Sequence, residues 1–171
     1  SPYCLVPEKK PVLADGTEVY GETNYVVCLE NEAGEVVHKL IFLDCGPDTT
    51  PEDLAKYGII TTKKSPDGYL KESQIAWYRE QVKDDICEST VFCHIPLMEF
   101  NDAIEKGELV GGVNYEGVST SPYNSGMFDV ILEEGKTKVF VAGHDHINAA
   151  RIMYKGIMMM YNRMSSMSSY N

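Results

Sequence analysis

Val139-Phe140-Val141-Ala142-Gly143-His144-Asp145-His146-Ile147-Asn148 is the stretch around which the rest of the chain is organised. Its first four residues are a short apolar run rich in β-branched and aromatic side chains. Stopped by a glycine, such a run predicts a strand with both faces covered, central to its sheet. His144 and His146 follow directly, two positions apart. In an extended backbone that spacing sends both imidazoles to one side. Neutral imidazole is a common ligand of transition metals, and a strand end holds its backbone still, so the pair is a candidate metal bite. The alternative for a bare His-x-His is a solvated loop with an Asp between two surface histidines. What favours the first reading is a second apolar run, Thr90 to His94, that also ends in a histidine, here before the breaker Ile95-Pro96.

Further out, the other elements follow from periodicity. Asn24 to Glu30 and Val36 to Leu43 have strand composition and flank the turn Asn31-Glu32-Ala33-Gly34, which predicts a hairpin. Leu40 to Leu43 is apolar on successive positions, as for a strand covered on both sides, and His38 within that strand reads as structural or exposed. Pro2 to Gly21 and Asp48 to Gly68 read as irregular connections, with one helical turn from Pro51. Lys71 to Asp85 is the best helix, with Ile75, Tyr78, Val82 and Ile86 on one stripe and Trp77 at its border. Asn101 to Lys106 predicts a short capped helix, and Leu109 to Pro122 a glycine-rich loop. Met127 to Glu133 predicts a helix with Ser125 as cap and Gly135 past its end. Ala149 to Tyr161 predicts a hairpin turning at Lys155-Gly156, with Met158, Met159 and Met160 as strand core. Asn162 to Asn171 has no assignment.

The bulk properties exclude several classes. The 171 residues, 43% hydrophobic and 24% charged, suffice for one domain with a real core. A net charge of −11 leaves no basic face for nucleic acid. It also repels phosphate at long range, so any phosphate site must carry bound cations. No run reaches the ~18 apolar residues of a membrane helix, and Ser1-Pro2-Tyr3-Cys4 is no signal peptide. Five cysteines (Cys4, Cys28, Cys45, Cys87 and Cys93) lack CxxC spacing and fall partly in apolar runs. Neither a disulfide framework nor a thiolate zinc site is expected, which favours a reducing compartment. The chain does not begin with Met, and is expected to be cut from something longer.

Two motifs together point to a family. Phe92 to Phe100 (Phe-x-His-Ile-Pro-Leu-x-Glu-Phe) followed by Gly143 to His146 (Gly-His-Asp-His) resembles the calcineurin-like metallophosphoesterases, in the purple-acid-phosphatase-like branch. Leu40 to Gly46, Ser73-Gln74 with Trp77, Asn124-Ser125-Gly126, and Gly156-Ile157 before Tyr161 are similar too, so the likeness runs from about Asn24 onward.

The resemblance implies an α+β fold, half of a four-layer α/β–β/α sandwich of central strands with flanking helices. It implies two transition-metal ions (Fe, Zn or Mn), with His94 and His144 on one and His146 on the other, and a phosphate ester as substrate. The family's Asp-x-His, Gly-Asp and Gly-Asn-His motifs are nowhere in these residues. Residues 1–171 are therefore expected to be the C-terminal part of a single domain, whose missing N-terminal half is its partner and carries the remaining ligands. On that expectation this chain is inactive alone; the alternative is a non-catalytic metal-binding or interaction fragment. Relatives carry a glycine-rich stretch after the Tyr, whereas this chain has Asn162-Arg163-Met164-Ser165-Ser166. Two other His-x-His classes fit less well. A metallo-β-lactamase-like site needs an Asp-His where Asn148 stands, and an amidohydrolase barrel places its pair near the start of the chain.

Overall fold

A computed structural model describes residues 9–164. Seven strands form one mixed sheet, in the order β1-β2-β3-β5-β7-β6-β4. The strands are β1 (Tyr25–Glu30), β2 (Val36–Leu43), β3 (Glu88–Cys93), β4 (Glu108–Gly111), β5 (Thr137–Ala142), β6 (Arg151–Tyr154) and β7 (Ile157–Tyr161). The helices are α1 (Pro51–Lys56), α2 (Glu72–Val82), α3 (Glu99–Lys106) and α4 (Met127–Glu134). β2, β3, β5 and β7 run parallel at the centre, and the edge pairs are antiparallel. All four parallel strands therefore end along one edge, where open α/β sheets place their ligands.

Alternation along the strands sorts the side chains onto two faces. Ile41, Val91, Phe140 and Met159 line up across the register on one face and are fully buried. Helices α2, α3 and α4 cover this face. Tyr78 of α2 hydrogen-bonds Thr137 through its hydroxyl at 2.7 Å, and Phe100 of α3 meets Phe140 and Tyr161 edge-on, with ring centroids 6.2 and 5.0 Å away. Phe128 of α4 stacks on Tyr154. The result is one helix layer on one sheet, the α/β half of the expected four-layer sandwich.

The opposite face differs from the reading of β2 and β5 as covered on both sides. Tyr25, Phe42 and Phe92 stack across three strands at 4.5 and 4.7 Å, flanked by Val139, Val141, Met158 and Met160. These side chains are only half-buried, and among the described residues no helix lies on them. The two-sided apolarity of the sequence is genuine; the described part of the chain covers one side of it.

Helix ends are set locally. Thr50 caps α1 through Asp53 N and receives Asp53 in return, with Pro51 at the first position. At α2 the Gln74 side chain accepts from Lys71 N and donates to Asn24 Oδ1 and the Asp44 carbonyl, tying the helix start to the end of β2. That helix stops at Val82, so Ile86 lies beyond it and is 99% exposed, outside the expected stripe. α3 begins two residues before the expected Asn101, with Met98 at its start. The cap of α4 is Gly126, not Ser125, because the left-handed φ of 77° there suits glycine, and Asn124 Oδ1 accepts from its N–H. Gly135 ends that helix as expected, at φ 68°. The expected loop from Leu109 begins as the edge strand β4. Its exposed side chains, paired only with β6, give no burial pattern to read. β6 and β7 turn at Lys155-Gly156, both with positive φ, as a two-residue hairpin requires. Residues 165–171 of the unassigned tail, and the first seven of the Pro2–Gly21 connection, lie outside the described residues. His38 donates to or accepts from Thr90 Oγ1 at 3.0 Å, a structural role. No helix of the described residues is long and apolar enough to cross a membrane.

Candidate metal centre at the strand ends

β3 and β5 are parallel neighbours, and Cys93 pairs with Ala142. The next residues, His94 and Gly143, are thereby side by side, and Gly143 N donates to the His94 carbonyl at 3.0 Å. A side chain cannot stand at 143 without crowding, since a Cβ there would lie 3.2 Å from His94 Nδ1. The imidazole of His94 thus lies close beside the glycine at 143. One residue on, His144 brings its Nδ1 to 3.3 Å from His94 Nε2, with the two rings nearly perpendicular at 81°.

His144 is not extended. Its φ is +69°, and Asp145 N donates to the Gly143 carbonyl at 2.8 Å, closing a three-residue turn around it. That turn sense is rare for a side-chain-bearing residue and costs of order 1–3 kcal/mol. The expectation that His144 and His146 share one side of an extended backbone therefore fails at this residue. The turn swings His144 back toward His94. His146 lines the same pocket, about 330 Å³, together with His94, His144, Asn162 and Arg163.

The loop is held in this shape by buried polar groups that sequence reading did not single out. Asp145 is 3% exposed, and its carboxylate accepts from Tyr161 hydroxyl at 2.7 Å and from Ser119 N. Burial and this carboxylate push the Tyr161 phenol well above its usual pKa, so it stays a donor. Asn148 is fully buried; its Oδ1 accepts from Tyr115 N and Glu116 N, and its Nδ2 donates to the Glu116 carbonyl. Glu116 Oε1 in turn accepts from Ile147 N at 2.6 Å. The Asp between two histidines is thus an internal clamp, not a solvated side chain. Asn148, which argued against a lactamase-type motif, fastens the same loop. Below the histidines, Cys45 and Cys93 interact thiol to thiol, which lowers the Cys45 pKa to about 7 and raises that of Cys93. Cys28, Cys45, Cys87 and Cys93 are all free.

Partial desolvation first, then the neighbouring His144 and His146, hold the His94 pKa below the usual 6.5 of an imidazole. A histidine that resists protonation when folded takes the proton more readily when unfolded. The metal-free fold therefore loses stability as pH falls through that usual value, and the loss levels off below the folded pKa. The urea midpoint is expected to drop less between pH 7.5 and 5 in His94→Gln than in the wild type. Equal pH slopes would remove His94 from the account.

Two imidazoles with facing nitrogens 3.3 Å apart have the separation of neighbouring ligand atoms on one ion. Bonds of ~2.0–2.1 Å at a tetrahedral angle place their nitrogens about 3.3–3.4 Å apart. The donor chemistry present therefore fits one edge of a transition-metal site. It is an edge and not a complete site: among the described residues no three His, Cys, Asp or Glu side chains are grouped so as to hold an ion.

No protein-family model matches the chain. It is similar, however, to three curated proteins of Arabidopsis thaliana. Probable inactive purple acid phosphatase 14 is 30% identical over 106 residues, covering 54% of this chain and 26% of that protein. Probable inactive purple acid phosphatase 29 is 28% identical over 138 residues, covering 73% of this chain and 33% of that protein. Probable inactive purple acid phosphatase 28 is 26% identical over 174 residues, covering 91% of this chain and 41% of that protein. The chain thus spans between about a quarter and two fifths of the length of these relatives.

Proposed function

We propose, for a chain whose sequence is related to the purple acid phosphatase-like proteins of the calcineurin-like superfamily, that it supplies ligands to the metal centre of a metallophosphoesterase. In this reading His94 and His144 bind one ion and His146 the second. The remaining ligands come from a further half of the domain, which this chain does not contain. The observation that carries it is the 3.3 Å approach of His94 Nε2 to His144 Nδ1 at the ends of two parallel strands. When both ions are bound, such a centre supplies a water of lowered pKa for hydrolysis of a phosphomonoester. The chain's own residues aim the imidazoles by the His144 turn and hold that turn through Asp145 and Asn148. The half-exposed sheet face, with its Tyr25-Phe42-Phe92 stack, is where the second half of the sandwich packs.

A second reading, a non-catalytic metal-binding or interaction module, has a specific point in its favour: the three relatives are named as probable inactive phosphatases. Both readings are tested first at the metal. Zn²⁺ at 100 times its dissociation constant raises stability by about 2.7 kcal/mol. The melting temperature of the wild type is expected to rise on addition of Zn²⁺, and that of His94→Ala/His144→Ala to stay put. A wild type indifferent to Zn²⁺, Mn²⁺ and Fe, or a double variant that shifts equally, rules out ligation at this pair.

A further inference from the structure

The ring of His144 has two nitrogens, and only Nδ1 faces His94. On the other edge, Nε2 stands 3.3 Å from Asp67 Oδ1, a residue 77 positions earlier in the chain. We propose that Asp67 is the positioning residue of His144: its carboxylate holds the proton on Nε2 and so leaves the Nδ1 lone pair free toward His94 and a shared ion. The inference rests on reading His94 and His144 as ligands.

Three observations carry it. The first is geometric. Asp67 and His94 lie at opposite edges of one imidazole, so an ion between the two histidines has His144 Nδ1 and cannot also take Asp67 across the ring. A carboxylate accepts hydrogen bonds and donates none, so the ring nitrogen facing it is the one that carries hydrogen. Histidine ligands usually give their second ring N–H to such a partner, which fixes the tautomer and the ring plane.

The second is that Asp67 is set in place by the fold. Thr49 Oγ1 donates to the Asp67 carbonyl at 2.6 Å and Thr49 N to the Pro66 carbonyl at 2.7 Å. The next residue, Gly68, lies so close to β2's exit that a Cβ there would be 2.2 Å from the Pro47 carbonyl oxygen and 2.5 Å from that of Cys45. Only glycine allows this approach, and it seats the 66–68 segment against the same strand-end edge as the histidines.

The third is that the carboxylate is otherwise committed on one side only. Its Oδ2 meets Lys63 Nζ at 2.7 Å, which leaves Oδ1 for His144. The Asp67 side chain is mostly buried, whereas that of Lys63 is largely exposed. Lys63→Ala therefore serves as a control that removes the ion pair and keeps the carboxylate.

The test uses Zn²⁺ alone as probe, with the full chain, and reads two quantities. Calorimetric titration is expected to show Zn²⁺ affinity 10–100-fold weaker in Asp67→Ala than in the wild type. It is expected to recover partly in Asp67→Glu and to be unchanged in Lys63→Ala. Nitrogen-15 NMR of the metal-free chain is expected to find His144 as the Nε2–H tautomer in the wild type and a mixture in Asp67→Ala. Equal affinity and an unchanged tautomer in Asp67→Ala overturn the proposal. So does an equal loss of affinity in Lys63→Ala, which would make the segment's structure, not the carboxylate, responsible. Should the wild type bind no Zn²⁺ at all, the ligand reading falls instead. The tautomer then still decides whether Asp67 orients the ring.

Discussion

Supplied with Zn²⁺, Mn²⁺ or Fe, the 171-residue chain is expected to release p-nitrophenol from its phosphate ester at the rate of the metal salt alone. The reason is the ligand count. Hydrolysis of this type needs two ions about 3.5–4 Å apart, each held firmly, so that together they lower the pKa of the attacking water and neutralise the phosphate oxygens. Of the side chains here, two nitrogens can share one ion, and His146 offers one more on the same pocket. Asp44, the carboxylate at the end of β2, accepts from Glu22 N and Gly46 N and so fastens the chain at that strand end. An overall charge of −11 further opposes the approach of a phosphate until cations are in place. Typical turnover numbers are roughly 1–10³ per second. Metal-dependent turnover anywhere in that range, by this polypeptide and abolished in His144→Ala, would show that the chain builds a working centre unaided.

Replacing Asn148 by Ala is expected to cost about 2–4 kcal/mol, one of the largest losses available outside the apolar core. The side chain is fully buried and satisfies the Tyr115 and Glu116 N–H groups and the Glu116 carbonyl. Alanine removes their partner at the buried end of this part-buried contact, and each unsatisfied group costs ~1–3 kcal/mol, partly recovered as the loop relaxes and water reaches it. For a chain of this length that corresponds to a fall in melting temperature of about 5–15 °C. The same change frees the segment after His146 from the 115–116 backbone, so Zn²⁺ affinity should fall alongside stability. A melting temperature within about 2 °C of wild type would mean that the buried amide is dispensable, contrary to its hydrogen-bond count.

How much of this was legible in the sequence varied by element. The strands β2, β3, β5 and β7 announce themselves because their apolar runs are continuous, and continuous runs come from strands at the centre of a sheet. β4 is silent: Leu109 and Val110 are exposed on an edge strand, and an edge strand with no buried side chain has no pattern. Ile86 misled in the opposite direction, since it completes a helical spacing past the point where the chain has left the helix. At the site, His94, His144 and His146 stood out by residue type and by their place after apolar runs. Asp67 did not, sitting in a stretch that reads as polar connection. Asp145 was visible but looked like solvated loop, and Asn148 entered only as the residue that breaks a lactamase-type motif.

Local physics, then, was enough to place glycines, breakers and histidines at the ends of strands, because strand termination and turn formation depend on neighbours in the chain. The sequence alone also carried the likeness to metallophosphoesterases, since two short motifs in order are a property of the chain itself. The tertiary structure alone decided that His94 and His144 face each other, that His144 turns through a left-handed φ, and that Asp67 stands behind it. Those contacts join residues 50 and 77 positions apart. Their distances are set by parallel strand pairing and by the close seating of Gly68 against the end of β2, and neither leaves a mark on any local stretch of residues.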